Sequence, residues 1–361
     1  MNIVFTGDIC LNNINQKSFS YDDKYKKIVK ESDILVGNLE CPITDSNIKK
    51  GLQVKNLSAT YDTLELLNDF DVVSLANNHI QDFCNQGIND TITALNSKCI
   101  AYFGVGKDIN EAVTPYTYEN DKKKIAIFGA TRYANQNGEN YGTIKDSSIK
   151  LYKSIKEYSK RGYFVIVYFH WGYEYVRIPS PRERRLAHKA IDYGANIIIG
   201  AHPHIYQGIE KYKGRTIIYS LGNFIFASKN FIGHSPILND DRLRNSFLVK
   251  IVLKSDYSYH VECLGYEISD EGVRMYDEQE NESLLEQIKF ISKDLKSINS
   301  LAYLQSYYKQ AYNISQQNIK VREKFQNASQ LALHKKISLY FSANYQDILN
   351  RLFAILIKLF R

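Results

Sequence analysis

Six short apolar runs in this 361-residue chain break off into polar residues capable of chemistry. The run at 2–6 leads into Gly7-Asp8, the one at 33–36 into Gly37-Asn38-Leu39-Glu40, and the one at 72–75 into Ala76-Asn77-Asn78-His79. Further on, 164–169 leads into His170-Trp171-Gly172 with Glu174 close behind, 196–199 into Gly200-Ala201-His202-Pro203-His204, and 216–221 into Gly222-Asn223. Another apolar run lies at 125–128, and helical spacing fills 61–68, 87–95, 149–160 and 182–193. Continuous apolar strands alternating with helices predict an α/β fold with an interior sheet covered on both faces. Ligands of such sheets bind beyond the carboxyl ends of the strands. Strand ends that deliver Asp, Glu, Asn and His to one edge therefore predict a single polar site.

Two more strands are expected at 247–253 and 260–268. From about Met275 the pattern turns helical, with amphipathic stretches at 281–297 and 301–333. We therefore expect a main domain over 1–270 and a helical C-terminal extension over 275–361. The tail at 337–361 sets Phe341, Tyr345, Leu349, Leu352, Leu356 and Leu359 at helical spacing among Lys335, Lys336, Arg351, Lys358 and Arg361. Docking on the main domain or on a second subunit is the expectation; the alternative is peripheral contact with a membrane interface.

Apolar residues make up 44% of the chain and charged ones 24%, enough for a large core without staples. The formal charge of +7 suits anionic substrates or a membrane surface and is too small to argue for nucleic acid; an anionic or phosphorylated substrate, polymer- or lipid-linked, is the expected partner. Cys10, Cys41, Cys84, Cys99 and Cys263 are widely spaced with no CxxC pair, which suits a reducing compartment rather than a disulfide framework. With no secretory signal pattern and no apolar stretch of roughly 18–20 residues, the expected location is cytoplasmic.

Oxygen and imidazole donors without a thiolate cluster suit Mn, Fe, Zn or Mg. The donors outnumber the needs of one four-coordinate ion. A carboxylate able to bridge, with two groups of terminal ligands, describes two divalent ions, which at roughly 3.5–4 Å hold a hydroxide and stabilise an in-line phosphoryl displacement. His202-Pro203-His204 is the most specific element, since the proline stiffens a turn that aims both imidazoles into the cleft. Cys10 stays open between ligand, nucleophile and small core residue. Asp82 is expected to orient His79. Trp171 and Glu174 face a choice between substrate contact and packing, and Asn223 between the metal region and a turn. For Arg182, Arg184 and Arg185 a solvated helix face is expected, the alternative being an anion clamp.

The segments FTGDICL, GNLECPIT, LANNHIQD, HWGYEY, PSPRERRLA, IIIGAHPHIYQGIE and IIYSLGNFIF occur in that order. In them the chain, over about residues 1–270, resembles the CapA family of capsule or poly-γ-glutamate biosynthesis proteins, within the calcineurin-like metallophosphoesterase superfamily. The resemblance implies a four-layer α/β/β/α sandwich with a two-metal centre. It implies that Asp8 and His204 bind the first metal and that Asn78, His170 and His202 bind the second. Glu40 would bridge, with Asn38 the alternative, and His79 would assist the leaving group. The implied activity is metal-dependent phosphoester hydrolysis in surface-polymer synthesis; the alternative is a non-catalytic metal-binding partner of a synthesis or export complex. Two departures stand out. Cys10 occupies the place of the superfamily's Asp-x-His histidine, leaving open whether it is a thiolate ligand or a filler. Cys84 replaces the glycine of Asp-x-Gly, so that turn is expected to change.

Overall fold

The computed structural model describes residues 1–49, 56–134, 141–228, 241–297 and 300–325. Its apolar runs pair into two mixed sheets. The first runs in the order Ser20–Tyr21, Gly272–Met275, Tyr259–Ser269, Asn245–Leu253, Asn2–Cys10, Ile34–Leu39, Val72–Ser74, Ala101–Phe103, and Asn223–Phe226 also joins Asn2–Cys10. The second runs Ile209–Tyr212, Arg215–Ile218, Ile197–Ala201, Phe164–His170, Lys123–Thr131, Tyr116–Asn120.

Side-chain alternation along the strands builds the layers. Ile3 and Phe5 of one sheet meet Phe164, Ile166 and Tyr168 of the other in a shared core. Val4 points the opposite way, into a cluster with Tyr25, Ile88 and Leu95 from helices Asp23–Lys30 and Cys84–Ser97. Val165 and Val167 likewise point outward, onto Leu151, Ile155, Ala187 and Ala190 of helices Ile149–Lys160 and Pro181–Asp192. Helix, sheet, sheet and helix are thus stacked as a four-layer α/β/β/α sandwich.

Three local expectations change. The first strand does not stop at Thr6 but runs on to Cys10, because Asn223–Phe226, remote in sequence, pairs with Asp8–Cys10. A register shift at Asp8 accompanies this. The segment Tyr61–Leu67 forms a 3-10 rather than an α-helix, burying Thr63, Leu64, Leu66 and Leu67, as suits a threefold repeat. Cys84 adopts φ 56°, the left-handed conformation that glycine favours, so the side chain is accommodated there at some backbone strain.

Helix Glu278–Lys293 inserts Leu284 and Ile288 into the core shared by the sheets. From helix Leu301–Phe325, buried Tyr303 donates through its hydroxyl to the Pro179 carbonyl at 2.9 Å. These helices dock on the sandwich; the tail at 337–361 lies outside the described residues. Among those, no helix is long and apolar enough to cross a membrane.

Candidate metal centre

Parallel pairing sets Asp8 beside Asn38 and His170 beside Ala201, so the polar strand ends of both sheets meet. The approach is tight. The Asp8 N–H donates to the Gly222 carbonyl at 2.9 Å, and a Cβ on Gly7 would lie 2.0 Å from that same oxygen. Glu40 is pinned by its own N–H, which donates to the Ile9 carbonyl at 2.7 Å.

Two groups of buried donors result: Asp8, Glu40 and His204, and Glu40, His170 and His202, each with ligand atoms within 4.8 Å of one another. Glu40 belongs to both. Its Oε1 lies 3.5 Å from His170 Nε2 and 3.7 Å from His204 Nε2. Asn78 reaches the second group, with its Oδ1 2.7 Å from His170 Nε2. Asn38 instead holds Asp8, its Nδ2 donating to Oδ1 at 2.8 Å. The Asp8 Oδ2 accepts the backbone N–H of His202 at 3.0 Å.

Hydrogen bonds decide which imidazole nitrogens keep a lone pair. Asn223 directs its Nδ2 to the carbonyls of His204 and Leu243, at 3.1 and 3.2 Å. Its Oδ1, 2.9 Å from His204 Nδ1, therefore accepts a proton there and leaves Nε2 free. The Tyr133 hydroxyl donates to the Gly172 carbonyl at 2.7 Å. Its oxygen, 3.0 Å from His202 Nε2, accepts from that nitrogen, and His202 Nδ1 keeps the lone pair, 3.0 Å from His170 Nε2. His202 and His204 sit at φ 95° and 59°, left-handed conformations of the kind that surrounding structure must impose at functional sites.

Burial dominates the electrostatics. It pushes Asp8 up to about 7, with Glu40 adding to the rise, and Glu40 itself up to about 8. It holds His170 and His204 down at about 4 and drives His202 well below the ordinary range. His79 differs: burial pulls it down, but the hydrogen bond it donates to Asp82 and the charge of that carboxylate prevail, and the net shift is upward. Asp82 Oδ2 lies 2.7 Å from His79 Nδ1 and also accepts the Leu57 N–H at 2.8 Å.

The donor set fits divalent ions on one observation in particular. Both carboxylate oxygens of Glu40, and the Oδ1 of Asn38, are buried without a hydrogen-bond partner. Buried polar atoms rarely stay orphaned unless something outside the chain satisfies them. Cys10 lies in neither group; it sits in the apolar cluster beside Cys41, and burial drives its thiol well above the usual range. Trp171 packs, stacked on Phe169 at 4.4 Å with its Nε1 donating to the Tyr219 carbonyl at 3.0 Å. The expected solvated arginine face is corrected in part. Arg182 is held bidentately by Asp146 at 2.7 Å and Arg184 by Glu210 at 2.8 Å, both carboxylates coming from distant segments, while Arg185 is exposed. Tyr133 was not singled out in the sequence; only its place just past the strand carrying Thr131, whose partner is His170, hints at it.

A sandwich of two sheets with buried Asp, Glu and His at their joined strand ends is the architecture of the metallophosphoesterase-like class. Residues 2–228 match the family of the bacterial capsule synthesis protein PGA_cap, and the chain belongs to that family, which includes CapA. It is 32% identical over 239 residues to the PGA biosynthesis protein CapA of Bacillus subtilis, covering 62% of each chain. To the capsule biosynthesis protein CapA of Bacillus anthracis it is 36% identical over 212 residues, covering 55% of this chain and 51% of the relative. The chain thus spans between about half and two thirds of the length of these relatives. A crystal structure of a hypothetical protein from Thermus thermophilus superposes with a TM-score of 0.42 at 14% identity, covering 73% of this chain and 99% of the other.

Proposed function

We propose that this chain is a metal-dependent phosphoester hydrolase acting in the synthesis or processing of an anionic surface polymer. The observation that carries the reading is Glu40, a buried carboxylate with both oxygens unpartnered and common to two donor groups. Asp8 and His204 would hold one divalent ion, and Asn78, His170 and His202 a second, with Glu40 between them. When bound, such ions supply an activated water at neutral pH and stabilise charge on phosphoryl oxygens.

The chain's own residues prepare the rest. Asn223 and Tyr133 fix the imidazole tautomers, and Asn38 and the His202 N–H orient Asp8. His79, its Nδ1 2.7 Å from Asp82 Oδ2 and its pKa shifted upward by that carboxylate, would stand next to Asn78 to donate a proton to the departing oxygen. Metals of the Mn, Fe or Zn type suit these donors.

A second reading, a non-catalytic partner of a synthesis or export complex, draws on the docked helix Glu278–Lys293. It leaves Phe290 69% and Leu285 40% exposed, apolar side chains available to a protein contact. One experiment separates the two. The purified chain is loaded with Mn²⁺, its metal content measured, and release of p-nitrophenol followed from p-nitrophenyl phosphate and bis(p-nitrophenyl) phosphate. Metal-dependent turnover is expected on at least one substrate. Full metal occupancy without turnover on either would favour the partner reading.

A further inference from the structure

Arg132 stands where a cation is hard to explain structurally. It leaves the Lys123–Thr131 strand beside the centre, its N–H donating to the His170 carbonyl at 3.0 Å, and the next residue is Tyr133, whose hydroxyl touches His202. Its side chain is partly buried, with the guanidinium 4.4 Å from the centroid of the Tyr173 ring and one nitrogen donating to the Tyr173 hydroxyl at 3.1 Å. Among the described residues no carboxylate lies within ion-pair distance of it. Two other arginines of the neighbouring helix are already paired, Arg182 with Asp146 and Arg184 with Glu210, while Arg185 is exposed. The buried carboxyl of Glu183 lies close enough to attract Arg132 electrostatically, but it is not in ion-pair contact: its Oε2 accepts the Ser180 N–H at 2.6 Å in the capping box of helix Pro181–Asp192, and its Oε1 has no hydrogen-bond partner. A neutral phenol and an aromatic face compensate a desolvated guanidinium only in part. Its remaining donors match the paired oxygens of a phosphate or carboxylate.

We propose that Arg132, steadied by Tyr173, is the anion-recognising residue of this site and fixes an oxyanion of the substrate beside the metal donors. The placement rests on the hydrolase reading for its substrate but not for its test, because anion binding is read without turnover. Tyr307, buried on helix Leu301–Phe325, lies against Tyr173 with ring centroids 6.4 Å apart, so the C-terminal helix backs the residue that steadies the guanidinium.

The test titrates the full chain, loaded with Mn²⁺, calorimetrically with inorganic phosphate and separately with glutarate, in the wild type, Arg132→Met and Arg132→Lys. Arg132→Met should bind one or both anions about tenfold more weakly, the size of a lost charge-assisted contact, and Arg132→Lys should recover part of the loss. The weakened arm tells phosphate from carboxylate recognition. Mn²⁺ content should be unchanged in both variants. Equal anion affinity in wild type and Arg132→Met, no binding of either anion by the wild type, or loss of Mn²⁺ from the variants would overturn the proposal. Weaker anion binding in Arg132→Met without p-nitrophenyl phosphate turnover by the wild type would leave this assignment standing and remove the hydrolase reading. Turnover with unchanged anion affinity would do the reverse.

Discussion

Two polar clusters lie at one end of the sandwich and differ in how they are completed. Around helix Pro181–Asp192, Arg182 meets both oxygens of Asp146, and Glu210 gathers Arg184, His188 and the Tyr219 hydroxyl. Charges there are matched by charges from the same chain. Around Glu40 the carboxylate of Asp8 and the imidazoles of His170, His202 and His204 crowd together with no matching ion pair among them, and acceptor atoms have no hydrogen-bond donor. A protein keeps the first kind of cluster to hold segments together. It keeps the second because something else completes it.

The largest expected effect breaks the open cluster. Glu40→Gln, which keeps shape but removes the carboxylate shared by both donor groups, should lower any metal-dependent phosphatase activity by about 10³-fold or more. It should also cut the bound metal measured by plasma emission spectroscopy.

Proton competition comes next. In the metal-free protein Asp8 titrates near 7 and Glu40 near 8, while His170 and His204 stay neutral down to about 4. Ions bind the ionised carboxylates, so lowering the pH from 8 to 6 reprotonates both and should weaken Mn²⁺ affinity roughly 10²-fold, with proton release on binding. Calorimetry in buffers of different ionisation heat reads that release; a flat affinity over this range would contradict the assignment.

The closed cluster should respond in stability instead. Asp146→Asn removes the charge facing half-buried Arg182 and should cost about 2 kcal/mol in chemical denaturation, below the full value for a fully buried pair. Metal content should be unaffected. The smallest effect sharpens the boundary of the open cluster. Tyr133→Phe keeps the ring but removes the oxygen that accepts from His202, and should weaken metal affinity by about tenfold with little change in stability.

Much of this contrast was legible in the sequence, because strand ends announce themselves through apolar runs that stop. Asp8, Glu40, His170, His202 and His204 were found that way, and the structure brings them together. What the sequence concealed depends on partners far along the chain. The extension of the first strand to Cys10 needs Asn223–Phe226, and the pairing of Arg182 needs Asp146. Tyr133 and Arg132 lie just beyond a strand whose last residue, Thr131, carries no conspicuous chemistry. Only the pairing of Thr131 with His170 brings them to the centre. The Cys10 thiol could not be placed from spacing alone, since strand alternation leaves open whether a side chain beyond a register shift faces the cleft or the helical layer.

The close approach of Gly7 to Gly222 bears on how an ion arrives. Asp8 is held by main-chain contacts on both sides, and Glu40 by the ladder to Ile9. The cage is thus assembled by folding, and the free energy of ion capture is not consumed in ordering the chain. Chelators should then empty such a centre without melting the sandwich, and ions should exchange according to supply, so that the cell's metal pool rather than the protein's folding history selects what occupies it.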